Sequence, residues 1–260
     1  MLGWIPRGLR KGRITTAYPR RAERPPDGYH GQIRLLHAKP AANKLVDVCP
    51  TDAISIDSAG TLSLDRGRCI LCGACVRAAP ERFAFDAVYE TATRTREELI
   101  DDHGGRPDVQ GAGARQTLGE QARALRRSIH VRHIDTGSDG SEEWEIQALW
   151  NPHYDIQRLG FFLTSSPRHA DILIVTGGVT EPMRGPLERT WDVMPAPKAL
   201  IAAGTDACSG GLSAATGLCA GGVDSVLGVD VYVPGSPPAP IALLDGLLQA
   251  VGLLREQVGA

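Results

Sequence analysis

The sequence lacks several features that would place it in a common class of protein. No apolar run approaches the length needed to cross a bilayer, and the first residues contain no apolar core of the secretory type. The formal net charge is -2, so no overall basic field favours nucleic acid. No Ser/His/Asp or Cys/His pattern indicates a nucleophilic enzyme. These absences predict a soluble or peripheral cytoplasmic protein that has no catalytic residues of its own.

Cysteine is sparse, but three of the six cysteines form one compact motif. Cys69, Cys72 and Cys75 have the C-x-x-C-x-x-C spacing of a loop that binds three irons of a cubane iron–sulfur cluster. The bacterial ferredoxin motif ends in C-x3-C-P. Here Pro80 is present, but the residue before it is Ala79. The fourth ligand must therefore come from elsewhere in the chain.

Cys49 is the candidate for the fourth ligand because it also precedes a proline, in DVCPTDAI. In two-cluster ferredoxins the cysteine before the proline of one motif binds the cluster of the other motif. Counting back from Cys49 by the usual spacing gives Lys39, Ala42 and Leu45, and none of them is a thiolate. One set of ligand positions is therefore empty, whereas the other set is complete.

Because one set of ligand positions has no cysteine and the other set is complete, the sequence predicts a single [4Fe–4S] cluster in the N-terminal part. Its predicted ligands are Cys49, Cys69, Cys72 and Cys75. A zinc site made of the same four cysteines is the alternative, because thiolates bind either metal. The spacing is nevertheless a poor match to the paired C-x-x-C halves of zinc ribbons.

The composition of the following residues distinguishes a predicted hairpin from a linker. Strand-like stretches at 53–57 and 61–65 are separated by Ser-Ala-Gly, and they predict a hairpin beside the cysteine loop. Residues 93–127 are rich in Gly, Asp and Arg and are expected to form a linker with a short helix at 117–127.

The C-terminal part shows the alternation of strands and helices that is typical of an α/β protein. Apolar strands are predicted at 170–178, 198–206 and 226–238, and they alternate with helices at 186–194 and 240–257. Such alternation predicts a parallel sheet whose ligands lie at the carboxyl ends of the strands. The overall expectation is an α/β protein with an N-terminal ferredoxin-like iron–sulfur domain and a C-terminal flavodoxin-like parallel-sheet domain. The expected divisions are a basic segment (1–27), a ferredoxin-like 4Fe–4S domain (28–92), the linker (93–127) and the C-terminal domain (128–260).

The N-terminal segment is basic and amphipathic. Six cationic residues precede the first acid, Glu23, and apolar residues including Trp4 and Leu9 lie between them. The cationic residues are Arg7, Arg10, Lys11, Arg13, Arg20 and Arg21. A segment of this kind binds in the interface of a membrane. The alternatives are a basic tail or an arm packed on another subunit.

Longer stretches carry a resemblance in each half of the chain. The first part resembles the polyferredoxin subunit of formate hydrogenlyase and its relative in respiratory complex I, through ITTAYP (14–19), GYHG (28–31) and the two ferredoxin halves. From Ser128 the chain resembles the small subunit of energy-converting [NiFe] hydrogenases, which is also the complex I subunit that holds the last cluster before quinone. That second resemblance includes HIDTGS (133–138), EIQALWNPHYDIQRLG (145–160), SPRHADILIVTGGVT (166–180) and VDVYVPGSPP (229–238). The chain therefore looks like a fusion of two subunits that touch within one complex.

The second resemblance implies a proximal cluster whose cysteines are missing here. The family's four ligand positions correspond to Asp139, Glu142, Asp206 and Ser236. The C-terminal domain is thus not expected to bind a cluster. Either these polar residues fill the vacated space, or three carboxylates and a hydroxyl form a hard-oxygen site for Mg, Ca or Mn.

Two further cysteines are left over. Cys208 and Cys219 are expected to be buried thiols that act as small apolar side chains, with Cys219 in a helix.

The resemblance as a whole implies an electron-transfer or structural subunit of a membrane-associated oxidoreductase complex rather than an enzyme by itself. The implied partners are a hydrogenase-like large subunit and integral membrane subunits, and the implied location is the cytoplasmic face of the inner membrane. A purely structural scaffold and a regulatory subunit with a hard-metal site are the alternatives.

Overall fold

A computed structural model describes residues 4–38, 43–102 and 128–259. The N-terminal part contains two short helices and two small antiparallel sheets. Their bounds are α1 (Trp4–Lys11), β1 (Gln32–Leu35), β2 (Ile54–Ile56), β3 (Leu62–Asp65), α2 (Ala74–Ala78), β4 (Phe83–Asp86) and β5 (Ile100–Asp101). One sheet pairs β1 with β4, and the other has the order β2-β3-β5. The predicted hairpin is confirmed, because Ile54 pairs with Leu64 in an antiparallel register.

The structure differs from the sequence analysis at the start of the expected linker. Ile100–Asp101 adds a third strand to the hairpin, and Thr93 forms a bridge with Tyr232. Leu99 is fully buried between them. Residues 93–102 therefore belong to the folded protein, because pairing with distant strands outweighs their polar composition. The rest of the expected linker, with its predicted helix at 117–127, lies outside the described residues.

The C-terminal part is built on a parallel sheet. Its strands are β6 (Ile129–Asp135), β7 (Phe161–Leu163), β8 (Ile172–Thr176), β9 (Ala199–Ala203) and β10 (Val231–Val233). They lie in the order β10-β9-β8-β6-β7, and all four neighbouring pairs are parallel. Counted from β6 as the first strand, this is the flavodoxin-like order 2-1-3-4-5. The predicted parallel sheet is confirmed.

Helices cover both faces of this sheet. They are α3 (Ser141–Ala148), α4 (Glu181–Asp192), α5 (Thr205–Ser209) and α6 (Pro240–Gly259). Successive strand residues point to opposite faces. Ile172 and Ile174 accordingly pack in the core that contains α6, whereas Leu173 and Val175 pack in the core that contains Leu187 of α4. Within the described residues, no helix is both long and apolar enough to cross a membrane.

In the C-terminal part, sequence reasoning missed the strands β6 and β7 and the helices α3 and α5, and it misplaced one helix boundary. β6 mixes polar and apolar residues, and β7 has only three residues, so neither forms an apolar run. The helix expected at 186–194 begins earlier, at Glu181, and Pro186 lies inside it.

The N-terminal segment packs against the C-terminal core. Tyr18 is 2% exposed within the core around α6, and its hydroxyl lies 3.3 Å from Asp245 Oδ1. The backbone N–H of Thr16 donates to the carbonyl of His153 at 2.8 Å, and Arg158 Nη2 donates to the carbonyl of Tyr18 at 2.6 Å. The basic segment expected at 1–27 is therefore divided into an exposed α1 and a docked stretch at 14–19.

Candidate iron–sulfur site and the adjacent acidic site

The loop that carries three of the cysteines joins β3 to α2. Two of its residues reverse the chain direction with positive φ angles, Leu71 at 56° and Gly73 at 70°. Cys69 and Cys75 are buried, whereas Cys72 is exposed. Cys49 is partly buried and packs against the same apolar core as Cys69 and Cys75. The structure therefore brings the cysteine loop and the distant Cys49 to one place in the fold.

The thiols influence one another electrostatically. Burial is the largest cause of the raised pKa of Cys69, about 12, and the neighbouring Cys75, Cys49 and Cys72 contribute to it. Burial also raises the pKa of Cys75, with additional contributions from Cys49 and Cys72. All four sulfurs are thus close enough to interact. Bound metal has the opposite effect, because ligand thiols lose their protons on binding.

Backbone N–H groups point at the sulfurs. The N–H of Ala53 donates to Cys49 Sγ at 3.3 Å. The N–H groups of Leu71 and Val76 lower the pKa of Cys69 and Cys75, respectively, against the larger effect of burial. Such donors orient ligands and stabilise thiolate charge in metal sites. Four thiols with N–H donors in an apolar shell fit the ligand set of a [4Fe–4S] cluster.

Apolar packing occupies part of the position where a second ferredoxin cluster would lie. Ala79 is 3% exposed and belongs to the core that surrounds the cysteine loop. Leu45 packs against the same core. Lys39 and Ala42, the other two positions of the missing set, lie outside the described residues.

One hydroxyl connects the cysteine loop to the C-terminal sheet. Thr205 is 1% exposed at the start of α5, and its Oγ1 lies 3.0 Å from the carbonyl oxygen of Cys69 and 3.2 Å from that of Gly235. Sequence reasoning missed this residue, because nothing around Thr205 indicates a partner 136 residues away.

We expect Thr205→Val to lower the free energy of unfolding by about 1 kcal/mol, because the variant leaves the buried carbonyls of Cys69 and Gly235 without this donor. Chemical denaturation of the full chain measures the change. Thr216→Val is the control, since the exposed Thr216 hydroxyl makes local bonds, donating to the carbonyl of Ser213 and accepting from the N–H of Leu218. Equal stability of both variants and the wild type would show that the connection contributes nothing.

The four vacated positions lie at the loops that follow the strands. Asp139 is exposed before α3, and Glu142 is 2% exposed within α3. Asp206 is partly buried in α5, and Ser236 is exposed in the loop after β10. The three carboxylates act on one another electrostatically, as their pKa shifts show. No contact connects Ser236 to them among the described residues.

The environments of the three carboxylates differ. Burial, with smaller contributions from the charges of Asp206 and Asp139, raises the pKa of Glu142 from its ordinary value of 4.5 to about 7. Burial, followed by the charge of Asp139, raises the pKa of Asp206. Hydrogen bonds from the hydroxyl and N–H of Ser141 lower the pKa of Asp139. Glu142 therefore holds a proton in a substantial fraction of molecules near neutral pH.

Glycine backbones provide the space for these carboxylates. A Cβ atom at Gly204 would lie 2.5 Å from Glu142 Oε1, and one at Gly211 would collide with Asp206 Oδ1. Within the described ranges, no three His, Cys, Asp or Glu side chains are placed to hold one metal ion. The two interpretations of these positions given above stay predictions.

The two remaining cysteines occupy different environments. Cys208 is 1% exposed in α5, as expected of a small apolar side chain. Cys219 is only partly buried and forms an isolated bridge with Thr180, so its expected placement in a helix is wrong. Five glycines from 210 to 222 interrupt the helical pattern there.

Two parts of the chain match known protein families. Residues 140–250 match the family described as "NADH ubiquinone oxidoreductase, 20 Kd subunit". Residues 62–118 match the "4Fe-4S single cluster domain". The second match contains the loop with Cys69, Cys72 and Cys75, and the first contains the parallel sheet from β7 onwards.

Curated proteins from several organisms are similar to this chain. The similarity to formate hydrogenlyase subunit 7 of Escherichia coli is 42% identity over 52% of this chain and 53% of that protein. The probable membrane-bound hydrogenase subunit mbhJ of Pyrococcus furiosus is 36% identical over 54% of this chain and 84% of that protein. A subunit of the NADH-quinone oxidoreductase of Desulfovibrio desulfuricans is 41% identical over 44% and 61%, respectively. The chain thus spans about half the length of the first relative and most of the second.

Proposed function

The chain belongs to the family of the 20 kDa subunit of NADH–ubiquinone oxidoreductase, and from this premise we propose that it is an electron-transfer subunit of a membrane-associated oxidoreductase complex. The complex is of the energy-converting hydrogenase and complex I type. The observation that carries the proposal is the direct packing of a four-cysteine site onto the family's parallel sheet, through the Thr205 hydroxyl.

The chain binds one [4Fe–4S] cluster through Cys49, Cys69, Cys72 and Cys75. When bound, the cluster supplies a centre that accepts and donates one electron. The chain's own residues hold and shield it: Leu71, Val76 and Phe85 surround the sulfurs with apolar groups, and backbone N–H groups stabilise the thiolates. Asp139, Glu142, Asp206 and Ser236 replace a second cluster in the C-terminal part, so the electron route differs from that of a subunit with both sites.

The chain docks between a hydrogenase-like large subunit and integral membrane subunits on the cytoplasmic face of the membrane. The features that support this are on α1, where Ile5 and Leu9 are 39% and 81% exposed and Arg10 and Lys11 occupy the last turn. Apolar and basic groups on one exposed helix suit a surface of anionic lipid headgroups.

Purification from the membranes of the source organism tests this assignment. With an affinity tag after Ala260, we expect the chain to be recovered with integral membrane subunits and a large subunit. A variant with Arg7, Arg10, Lys11 and Arg13 replaced by Gln should be released from the membranes at lower salt than the wild type, because basic groups bind anionic headgroups.

The matched control for this experiment removes four exposed arginines outside α1. These are Arg20, Arg21, Arg24 and Arg189. Release of both variants at the same salt concentration would contradict the proposed contact between α1 and the lipid headgroups. Recovery of the chain alone, as a monomer without membrane subunits, would contradict the proposed function itself.

A purely structural role is the second candidate function. The observation that favours it is the replacement of all four proximal-cluster cysteines by Asp139, Glu142, Asp206 and Ser236. Electron transfer in a membrane complex that carries Cys72→Ser separates the two roles.

A further inference from the structure

A cavity lies between the cysteine loop and the C-terminal part. Its volume is about 230 Å³, and it is partly open to solvent. Tyr29, His30 and Leu71 line it from the N-terminal side, whereas Glu145 of α3 and the loop at 234–238 line it from the C-terminal side. A cavity of about 150 Å³ holds benzene, and pockets for drug-sized ligands begin at about 300 Å³. The cavity therefore suits a ligand of about one ring.

A buried hydroxyl in the cavity wall has no partner within the protein. Thr91 is 2% exposed, and its Oγ1 makes no hydrogen bond among the described residues. Buried polar atoms are nearly always paired, and an unpaired one costs about 1–3 kcal/mol. Thr91 Oγ1 has almost no accessible surface, so a ligand in the cavity does not reach this atom.

A carboxylate in the same wall has no cation near it. Burial alone raises the pKa of Glu145, with no contribution from any Lys, Arg or His. In the ranges that the structure describes, Glu145 makes no ion pair. A half-buried carboxylate of this kind gains most from a cationic partner that brings its own hydrogen-bond donors.

Aromatic rings stand beside this carboxylate. The centroids of the Tyr29 and Tyr89 rings are 4.8 Å apart, and the charge of Glu145 contributes to the raised pKa of both Tyr29 and Tyr154. Positive groups bind favourably over aromatic faces, most of all where water is partly excluded. The aromatic wall therefore favours the same class of ligand as the carboxylate.

We propose that this cavity binds a small organic cation, a protonated amine no larger than one ring with a short arm. The Glu145 carboxylate is its counter-ion, and the Tyr29 ring packs against the ligand. The site adjoins the cysteine loop through Leu71, it shares no lining residue with the acidic site at Asp139, Glu142 and Asp206, and it does not depend on the proposed function.

Calorimetric titration of the full chain with three probes of similar shape tests the proposal. The chain is purified without oxygen, and its iron and sulfide contents are measured first. We expect benzylamine to bind in a 1:1 ratio with a Kd below about 1 mM, and benzyl alcohol and benzoate to bind at least about tenfold more weakly. Equal binding of the amine and the alcohol would indicate an apolar pocket without a charge preference and would overturn the proposal. The absence of benzylamine binding at millimolar concentration would also overturn it.

Two variants of the cavity wall test the ligand contacts. Glu145→Gln should weaken benzylamine binding about tenfold or more while leaving benzyl alcohol binding unchanged, because it removes the charge and keeps the shape. Thr91→Val should bind benzylamine like the wild type, because it keeps the shape of the wall and Thr91 Oγ1 is not accessible from the cavity. Glu188→Gln, an exposed position on α4, is the matched control for charge and should bind like the wild type.

Melting temperature and iron content establish that each variant is folded. Wild-type affinity for benzylamine in Glu145→Gln would overturn the assignment of the counter-ion. If Glu145→Gln does not fold, the three-probe series on the wild type still decides the proposal.

Discussion

Replacing Cys72 with serine should abolish the iron–sulfur cluster, whereas replacing Cys208 with serine should leave it intact. Cys72 lies in the loop between β3 and α2, and its charge contributes to the raised pKa values of Cys69 and Cys75, so it belongs to one interacting set of sulfurs. Serine removes the soft thiolate that the cluster requires. We expect about four iron and four sulfide per wild-type chain and none in Cys72→Ser.

Cys208 is the matched control because it is a cysteine of the same chain, 1% exposed in the core of the C-terminal part. Visible absorbance and iron and sulfide assays on anaerobically purified protein measure the outcome. About eight irons per wild-type chain, or zinc without sulfide, would contradict a single cluster with the ligands Cys49, Cys69, Cys72 and Cys75.

The same variant separates electron transfer from a structural role. In the purified membrane complex, an electron-transfer subunit that carries Cys72→Ser should assemble normally and lose the electron transfer of the complex. A structural subunit should assemble and keep it. Unchanged electron transfer in an assembled complex without this cluster would therefore favour the structural role.

The second large effect is a pH-dependent gain of stability in Glu142→Gln. Glu142 is 2% exposed and has a pKa of about 7, well above its ordinary value of 4.5. The unfolded chain gives up this proton more readily than the folded one. Glu142 therefore leaves the free energy of unfolding unchanged below about pH 4.5 and lowers it increasingly up to about pH 7. Each pKa unit corresponds to about 1.4 kcal/mol, which gives a full effect of about 3 kcal/mol.

We therefore expect Glu142→Gln and the wild type to melt at similar temperatures near about pH 5 and to diverge by about pH 8. In a chain of this size, each kcal/mol shifts the melting temperature by about 2–4 °C. Scanning calorimetry of the full chain over this pH range measures the difference. Asp206 titrates in both proteins, and its repulsion of the Glu142 carboxylate is already part of the raised pKa of Glu142.

Glu181→Gln is the control, since Glu181 is an exposed carboxylate in the first turn of α4. Its melting temperature should follow that of the wild type at every pH. A constant difference between Glu142→Gln and the wild type across the whole range would show that Glu142 is ionised in the folded state at all these pH values, contrary to our interpretation of its burial.

Local sequence patterns were sufficient for several parts of this structure. The hairpin of β2 and β3 follows from two short alternating stretches with a glycine turn, and β8 and β9 are continuous apolar runs. The long helix α6 follows from its apolar spacing. The family follows from many specific positions and is confirmed by the matches at 62–118 and 140–250. The cysteine spacing identifies a candidate ligand set from the chemistry of thiolates alone.

Other parts depend on residues that are far apart in the chain. Tyr18 is buried because α6 packs over it, and β5 forms because β3 provides an edge with free hydrogen-bonding groups. The Thr205 hydroxyl lies between two carbonyls that come together only when both halves of the chain are folded.

The acidic site shows most clearly what the sequence alone determined and what only the tertiary structure decided. The resemblance to the family places Asp139 and Glu142 three residues apart at two equivalent ligand positions, and the sequence does not distinguish these two acids. The fold decides which one has a raised pKa, because it exposes Asp139 to solvent and to the hydrogen bonds of Ser141 while it buries Glu142 against Gly204. Spacing is a local property of the chain, whereas desolvation depends on every element that packs around a group.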